Sequence, residues 1–227
     1  MRFDAILFDK DGTLFDFQAT WTAPFLTLLE TVAPGALFAR AAKVLGYDVA
    51  QQRFRADSLV IASTTGEVAW ALAPVVGREP MEIIETLDRI GSTARQVPAV
   101  PLVPCLSELR GFGPLGLVTN DSEAPARAHL QEAGVLDLFD FVAGYDSGFG
   151  AKPGPGQLLA FAEAQGLSPE RIVMVGDSRH DLMAARAAGM PSVGVLTGVA
   201  GERDLEDLAD VVLPDIGHLA AWMTRVA

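Results

Sequence analysis

Apolar positions along this chain follow two periods. Residues 3–8 read Phe-Asp-Ala-Ile-Leu-Phe, an apolar run of strand length that stops at Asp9, Lys10, Asp11 and Gly12. Directly after Thr13 the spacing changes: Trp21, Phe25, Leu28, Leu29 and Val32 recur three and four residues apart, which predicts an amphipathic helix over Phe17–Val32. Pro34-Gly35 interrupts it, and Leu37, Ala41, Val44 and Leu45 mark a second helix that ends at Gly46. Residues 51–61 fit neither period. Two more helices are predicted over 67–76 and 80–90, separated by Gly77, with Pro80 suited to a first turn. Residues 15–95 therefore read as all-helical. The stretch 97–104 holds three prolines, too many for a helix interior, and reads as a stiff return crossing.

Beyond it, strands and helices alternate. Strands are predicted over 115–119, 141–144, 172–176, 192–195 and 210–213, and helices over 123–133, 156–165, 179–188 and 218–226. Glycines at 134, 166 and 189 stop three of these helices. Continuous apolar strands separated by helices predict an α/β fold, a Rossmann-like parallel sheet with helices on both faces. The expected core is residues 1–14 and 98–227, with 15–97 as a separate small all-helical unit.

Composition narrows the function. Half of the 227 residues are hydrophobic and a fifth are charged, and no segment approaches the roughly 18 unbroken apolar residues of a membrane span. The first strand is too short and too soon acidic for a signal peptide. Cys105 is the single cysteine, so no intrachain disulfide can form, and a reducing, cytoplasmic setting is expected. A formal charge of -12 argues against nucleic acid as partner, because such binding relies on Lys and Arg neutralising phosphates. It leaves room for a small phosphorylated metabolite held by a metal ion, one lysine and backbone amides.

Ligands of parallel sheets bind outside the carboxyl ends of the strands. Here those ends carry Asp9 and Asp11, then Thr119-Asn120-Asp121, then Gly176-Asp177-Ser178-Arg179-His180-Asp181, while the loop after the third strand carries Lys152-Pro153. Each type has a task in phosphoryl transfer. Asp9 would attack phosphorus and form an aspartyl-phosphate, and Asp11 would protonate the leaving alcohol and then deprotonate the hydrolytic water. Asp177 would complete a Mg2+ site with Asp9 and the Asp11 backbone carbonyl. Thr119 would donate to a phosphate oxygen, with the amides of the following helix facing the same anion. Lys152 would supply positive charge, and Asp181 would orient that lysine or the metal's waters.

Taken together, Asp9-Lys10-Asp11-Gly12-Thr13, Thr119-Asn120, Lys152-Pro153 and Gly176–Asp181 in this order resemble the four signatures of the haloacid dehalogenase superfamily, over essentially the whole chain. The resemblance implies an inserted helical cap at 15–97 and hinges near 13–16 and 97–104. It also adds Asn120 to the phosphate-binding set. The family's dehalogenases lack the second acid of the first signature, so Asp11 favours phosphate chemistry. The layout is most similar to phosphoglycolate phosphatase-like enzymes, with β-phosphoglucomutase-like phosphotransferases as the alternative and a monomer or homodimer expected. A receiver domain would be shorter and lack Asp11, and an inactive scaffold would not retain the whole acid, hydroxyl and lysine set.

Several residues stand outside this pattern. Lys10 replaces a more usual apolar residue, and its side chain is expected to turn from the nucleophile into a salt bridge. Asp121 either adds charge near the phosphate or caps the following helix. His129 and His218 are expected at the surface or its boundary, and His180 at the surface or just behind the site residues. Cys105 is expected to be a buried structural thiol. Phe15, Phe17 and Trp21 are placed either along the cleft or in helical packing. Arg53 and Arg55 are either anion-recognising or simply solvated. Thr64-Thr65-Gly66-Glu67 reads as a helix start.

Overall fold

A computed structural model describes residues 3–55, 57–61 and 63–226. The ends of the expected boundaries at 1–2 and 227, with residues 56 and 62, lie outside this description.

Strand β1 (Ala5–Phe8) is buried along its whole length. It leads through the Asp9–Asp11 loop into α1 (Phe17–Val32) and α2 (Ala36–Leu45). A short antiparallel hairpin follows, β2 (Tyr47–Asp48) and β3 (Arg53–Phe54), then α3 (Thr65–Val76) and α4 (Pro80–Gly91). The hairpin corrects the all-helical expectation for this region. Phe54 carries it inward and packs edge-on against Phe17, Phe25 and Tyr47, a set of long-range ring contacts that no local period announces.

The return crossing is also shorter than expected. Only residues 97–101 cross, because α5 (Leu102–Leu109) begins within the proline run. Pro104 falls in its first turn, where a backbone N–H has no partner inside the helix to lose. The outgoing and returning chains lie side by side, with Asp16 N donating to Val97 O at 2.8 Å and Ala99 N to Leu14 O at 2.9 Å.

The remaining elements alternate: β4 (Leu115–Val118), α6 (Glu123–Glu132), β5 (Phe141–Ala143), α7 (Gly156–Gln165), β6 (Ile172–Gly176), α8 (Arg179–Ala188), β7 (Ser192–Val195), α9 (Glu202–Leu205), β8 (Val211–Leu213) and α10 (Leu219–Val226). The six long-range strands form one parallel sheet in the order β5-β4-β1-β6-β7-β8. Alternation along β1 divides its covering helices: Ile6 and Phe8 face the cluster containing α5, α6 and α10, and Ala5 and Leu7 face that of α7 and α8. A third apolar cluster, built around Phe25, Leu29, Leu45, Phe54 and Leu72, belongs to α1–α4 and the hairpin. Strand order turns at β1, with β4 on one side and β6 on the other, so the crevice forms where Asp9 emerges.

Candidate active site

Gly12 shapes the first loop. Its φ of +85° is a left-handed conformation, and a Cβ there would stand 2.3 Å from Asp177 Oδ2. Gly198, on the loop after β7, closes on the same carboxylate even more tightly, at 1.7 Å for a built Cβ. Thr197 Oγ1 donates to Gly12 O at 2.6 Å and locks the two loops together. Sequence reading missed Thr197 and Gly198, since neither belongs to a motif-bearing strand end of their own.

Asp9, 7% exposed, sits against Lys152, whose ammonium donates to Asp9 Oδ1 at 2.5 Å and to Val118 O at 3.0 Å. Asp181 Oδ1 lies 2.7 Å from the same ammonium. The other Asp181 oxygen accepts from Ser178 N at 3.1 Å and Ser178 Oγ at 2.7 Å, a capping box that fixes α8 and the lysine's partner at once. Asn120 holds the backbone of Lys152 from both sides: its Nδ2 donates to Lys152 O and its Oδ1 accepts from Lys152 N, each at 2.9 Å. The glycine-rich loop thus delivers its lysine to Asp9 through a side-chain clamp.

Burial, the largest influence, pushes the Asp9 carboxyl up to about 7 despite the nearby ammonium. Burial likewise raises Asp177 well above the usual carboxylate range, and the neighbouring Asp9 and Asp181 add to it. Oxygens of Asp9, Asp177 and Asp181 lie within 4.8 Å of one another, and Asp177 Oδ2 is buried with no hydrogen-bond partner. An all-oxygen, buried donor set with an orphaned carboxylate oxygen fits a hard divalent cation such as Mg2+. Asp181 enters this set directly, whereas the Asp11 carboxylate turns elsewhere.

It turns toward Lys10. That lysine is fully buried, as are few of its kind, and its ammonium lies 2.8 Å from Asp11 Oδ2, 3.0 Å from Asp121 Oδ2 and 3.1 Å from His129 Nδ1. The expected salt bridge is there, with the neighbouring acid itself as one partner. Trp21 Nε1, from α1, donates to Asp11 Oδ1 at 2.7 Å, and the Lys10 ammonium lies 5.5 Å from the Trp21 ring. Asp121 therefore pairs with Lys10 and does not cap α6. His129 is 1% exposed, contrary to the surface expectation, with Nε2 3.2 Å from Gly91 O at the end of α4. Its imidazole is pushed below its usual value, first by burial and then by the Lys10 charge. Nothing local in the sequence links positions 10, 21, 121 and 129.

Thr119 is buried at the cleft wall, and Gln157 Nε2 anchors its carbonyl at 3.0 Å. The amides after it are occupied: Asp121 N by Thr119 Oγ1, Ser122 N by Asp121 Oδ1 and Glu123 N by Asp146 Oδ1. The expected open helix start for an anion is thereby corrected at these three positions. His180 and residues Phe17 and Trp21 line the cleft, but Phe15 is packed in the sheet-side core. Arg53 and Arg55 do not line this cleft; Arg55 pairs with Asp57 in solvent. Thr64 and Glu67 form the expected capping box, and Thr65 reaches the cleft. His218 is exposed beside Asp215. Cys105 is partly buried against Ile216 O, its thiol pushed up to about 11 chiefly by burial.

The cleft encloses about 840 Å³, its open mouth included, between the strand ends and α1, α3 and α4. No described helix is long and apolar enough to cross a membrane.

Known proteins resemble this chain in sequence or in fold. Phosphoglycolate phosphatase from Neisseria meningitidis serogroup A is 42% identical over 117 residues, 50% of this chain and 49% of its own. That from Escherichia coli K12 is 39% identical over 103 residues, 45% of this chain and 39% of its own. The chain thus spans about half the length, or less, of these curated relatives. A protein described as a haloacid dehalogenase-like hydrolase from Bacteroides fragilis superposes with a TM-score of 0.75 at 20% identity, over 96% of this chain and 100% of its own. At that identity the likeness concerns the fold. The haloacid dehalogenase-like hydrolase family model matches residues 3–189, which run from β1 through the end of α8 and contain every strand-end acid, the threonine and the lysine described above; the chain belongs to that family.

Proposed function

We propose that this protein is a Mg2+-dependent phosphatase that hydrolyses a small phosphorylated metabolite through an aspartyl-phosphate on Asp9. The carrying observation is Asp9 itself: a buried carboxylate at the crevice of a parallel sheet, joined to Lys152 and facing a second buried carboxylate, Asp177, whose Oδ2 has no partner. Asp9, Asp177 and Asp181 would hold the ion, which supplies positive charge to offset their mutual repulsion and that of the phosphate.

An Asp9 oxygen attacks phosphorus, and the bond from phosphorus to the ester oxygen breaks. Asp11 gives its proton to the departing alcohol and takes one from the water that then attacks the aspartyl-phosphate. Inorganic phosphate leaves and Asp9 returns as a carboxylate. Lys152 neutralises Asp9 before attack and faces the phosphoryl oxygens afterward, while Thr119 and Asn120 bound that end of the cleft. Residues 15–97 serve as a cap on a core of 1–14 and 98–227, and closure over the cleft excludes bulk water. Turnover takes place in the cytoplasm, by a monomer or homodimer.

Phosphate release from a panel of small monoesters, phosphoglycolate included, tests this with wild type and Asp9→Asn in parallel. Release should require both Mg2+ and Asp9. Isomerisation of a sugar phosphate without release would instead support phosphotransfer.

A further inference from the structure

The cleft's two ends differ in charge. At the phosphate end stands Lys152, the single Lys or Arg among the described lining residues, and its ammonium is already shared by Asp9 and Asp181. The far wall is formed by α1, α3, α4 and the segment before α3, with Phe17, Trp21, Phe25, Ile61, Val68 and Leu87. Among the described residues of these elements the one charged lining residue is Asp88, which is negative, and Asp121 also lines the cleft. All seven lysines and arginines within residues 15–97 are exposed, and none lines the cleft.

We infer that the leaving alcohol this cleft accepts is uncharged and partly apolar, not a carboxylate-bearing one; this rests on the phosphatase reading and narrows its substrate class. A carboxylate on the alcohol would leave water beside aromatic and aliphatic side chains, with Asp88 near and no lysine or arginine of that wall to receive it. Desolvating an unpaired charge is among the costliest events in protein recognition. An alkyl or aryl body meets the same wall favourably. Ser63 and Thr65, also lining it, supply hydroxyls for a neutral polar group without adding charge.

The test compares kcat/KM for three primary-alkyl esters, propyl phosphate, 2-phenylethyl phosphate and phosphoglycolate, with p-nitrophenyl phosphate as a check of hydrolytic competence. All are assayed with the full chain and Mg2+. Propyl phosphate should exceed phosphoglycolate by at least roughly tenfold, the minimum for an unpaired desolvated charge. The phenylethyl ester should exceed propyl by about fourfold or more, one buried methylene's worth at the least. Asp88 is exposed on its helix, so Asp88→Lys should fold, and it should raise the phosphoglycolate-to-propyl ratio by about tenfold by placing a cation at this wall. Phosphoglycolate hydrolysed as fast as or faster than propyl phosphate, with p-nitrophenyl phosphate also hydrolysed, overturns the inference and leaves the phosphatase intact. An unchanged ratio in Asp88→Lys overturns the placement of the alcohol at this wall. Inertness toward every ester, p-nitrophenyl phosphate included, overturns the phosphatase reading and this inference with it.

Discussion

Two buried lysines serve the Asp9–Asp11 loop, one within it and one from the loop after β5, and each lies between two carboxylates. Lys152 contacts Asp9 and Asp181; Lys10 contacts Asp11 and Asp121. In both, the carboxylates outweigh desolvation and hold the ammonium above its ordinary range. Their surroundings differ. The partners of the Lys152 ammonium come from strand ends and from the first turn of α8, so its position follows from the sheet and the helix that leaves it. The Lys10 cluster includes Trp21 of α1 on Asp11, and His129, which reaches Gly91 at the end of α4. Similar local electrostatics thus serve two ends: one lysine holds Asp9 to the core, and the other ties Asp11 to the helices across the cleft.

The largest contrast is expected from removing each charge. Lys152→Met should lower kcat/KM by about a thousandfold for aryl and alkyl esters alike, since Lys152 acts on Asp9 and the phosphoryl group whatever leaves. It should also cost about 3 kcal/mol or more of stability by leaving Asp9 and Asp181 buried without their cation, readable in urea. A loss confined to alkyl esters would break the comparison from this side.

Lys10→Met should have a smaller effect, with a different signature. Acting through Asp11, it should lower kcat/KM about tenfold for an alkyl ester, which needs a proton on its leaving oxygen, and by much less for p-nitrophenyl phosphate, which does not. Equal losses on both esters would mean that Lys10 merely supports the fold.

On stability, one effect is specific to the Asp9 side. With its carboxyl pushed up from 3.8 to about 7, native Asp9 keeps a proton that the unfolded chain releases. Metal-free stability should therefore fall as pH rises through that window, by on the order of 3 kcal/mol. Mg2+ should restore it, and Asp9→Asn should flatten the slope; Asp177, raised by the same burial, leaves a residual slope. Thermal melts in EDTA at pH 4.5 and 7.5 check this, and an identical slope in Asp9→Asn would sink the assignment.

The smallest change is Trp21→Phe, which keeps the ring but removes the indole donor to Asp11. A two- to fivefold fall in kcat/KM for alkyl esters, with p-nitrophenyl phosphate nearly unaffected, would sharpen the link between α1 and the second acid. Steady-state rates with both esters suffice to see it.

Much of this is legible along the chain. The apolar runs at 5–8 and 172–176, with glycine-stopped helices between them, are local signals, and they brought Asp9, Asp11, Thr119, Lys152, Asp177 and Asp181 to one sheet edge in expectation as in the structure. Helix α5 was obscured because composition weighs prolines without knowing which turn they occupy. The β2–β3 hairpin was obscured because two-residue strands carry no period. His129 looked like a surface residue since α6 has only weak amphipathic contrast, and its partner lies 119 positions away.

By itself, the sequence determined the parallel α/β layout, a candidate set of acids, threonine and lysine, and the strand ends they share, because strand and helix periods and the carboxyl-end rule are properties of neighbouring residues. Tertiary structure alone decided which carboxylate each lysine meets, that Trp21 and His129 join Asp11 to the helices around the cleft, and that no lysine or arginine lines the far wall among the described residues. Those outcomes depend on which distant side chains share a buried volume, where desolvation forces every charge to find a partner.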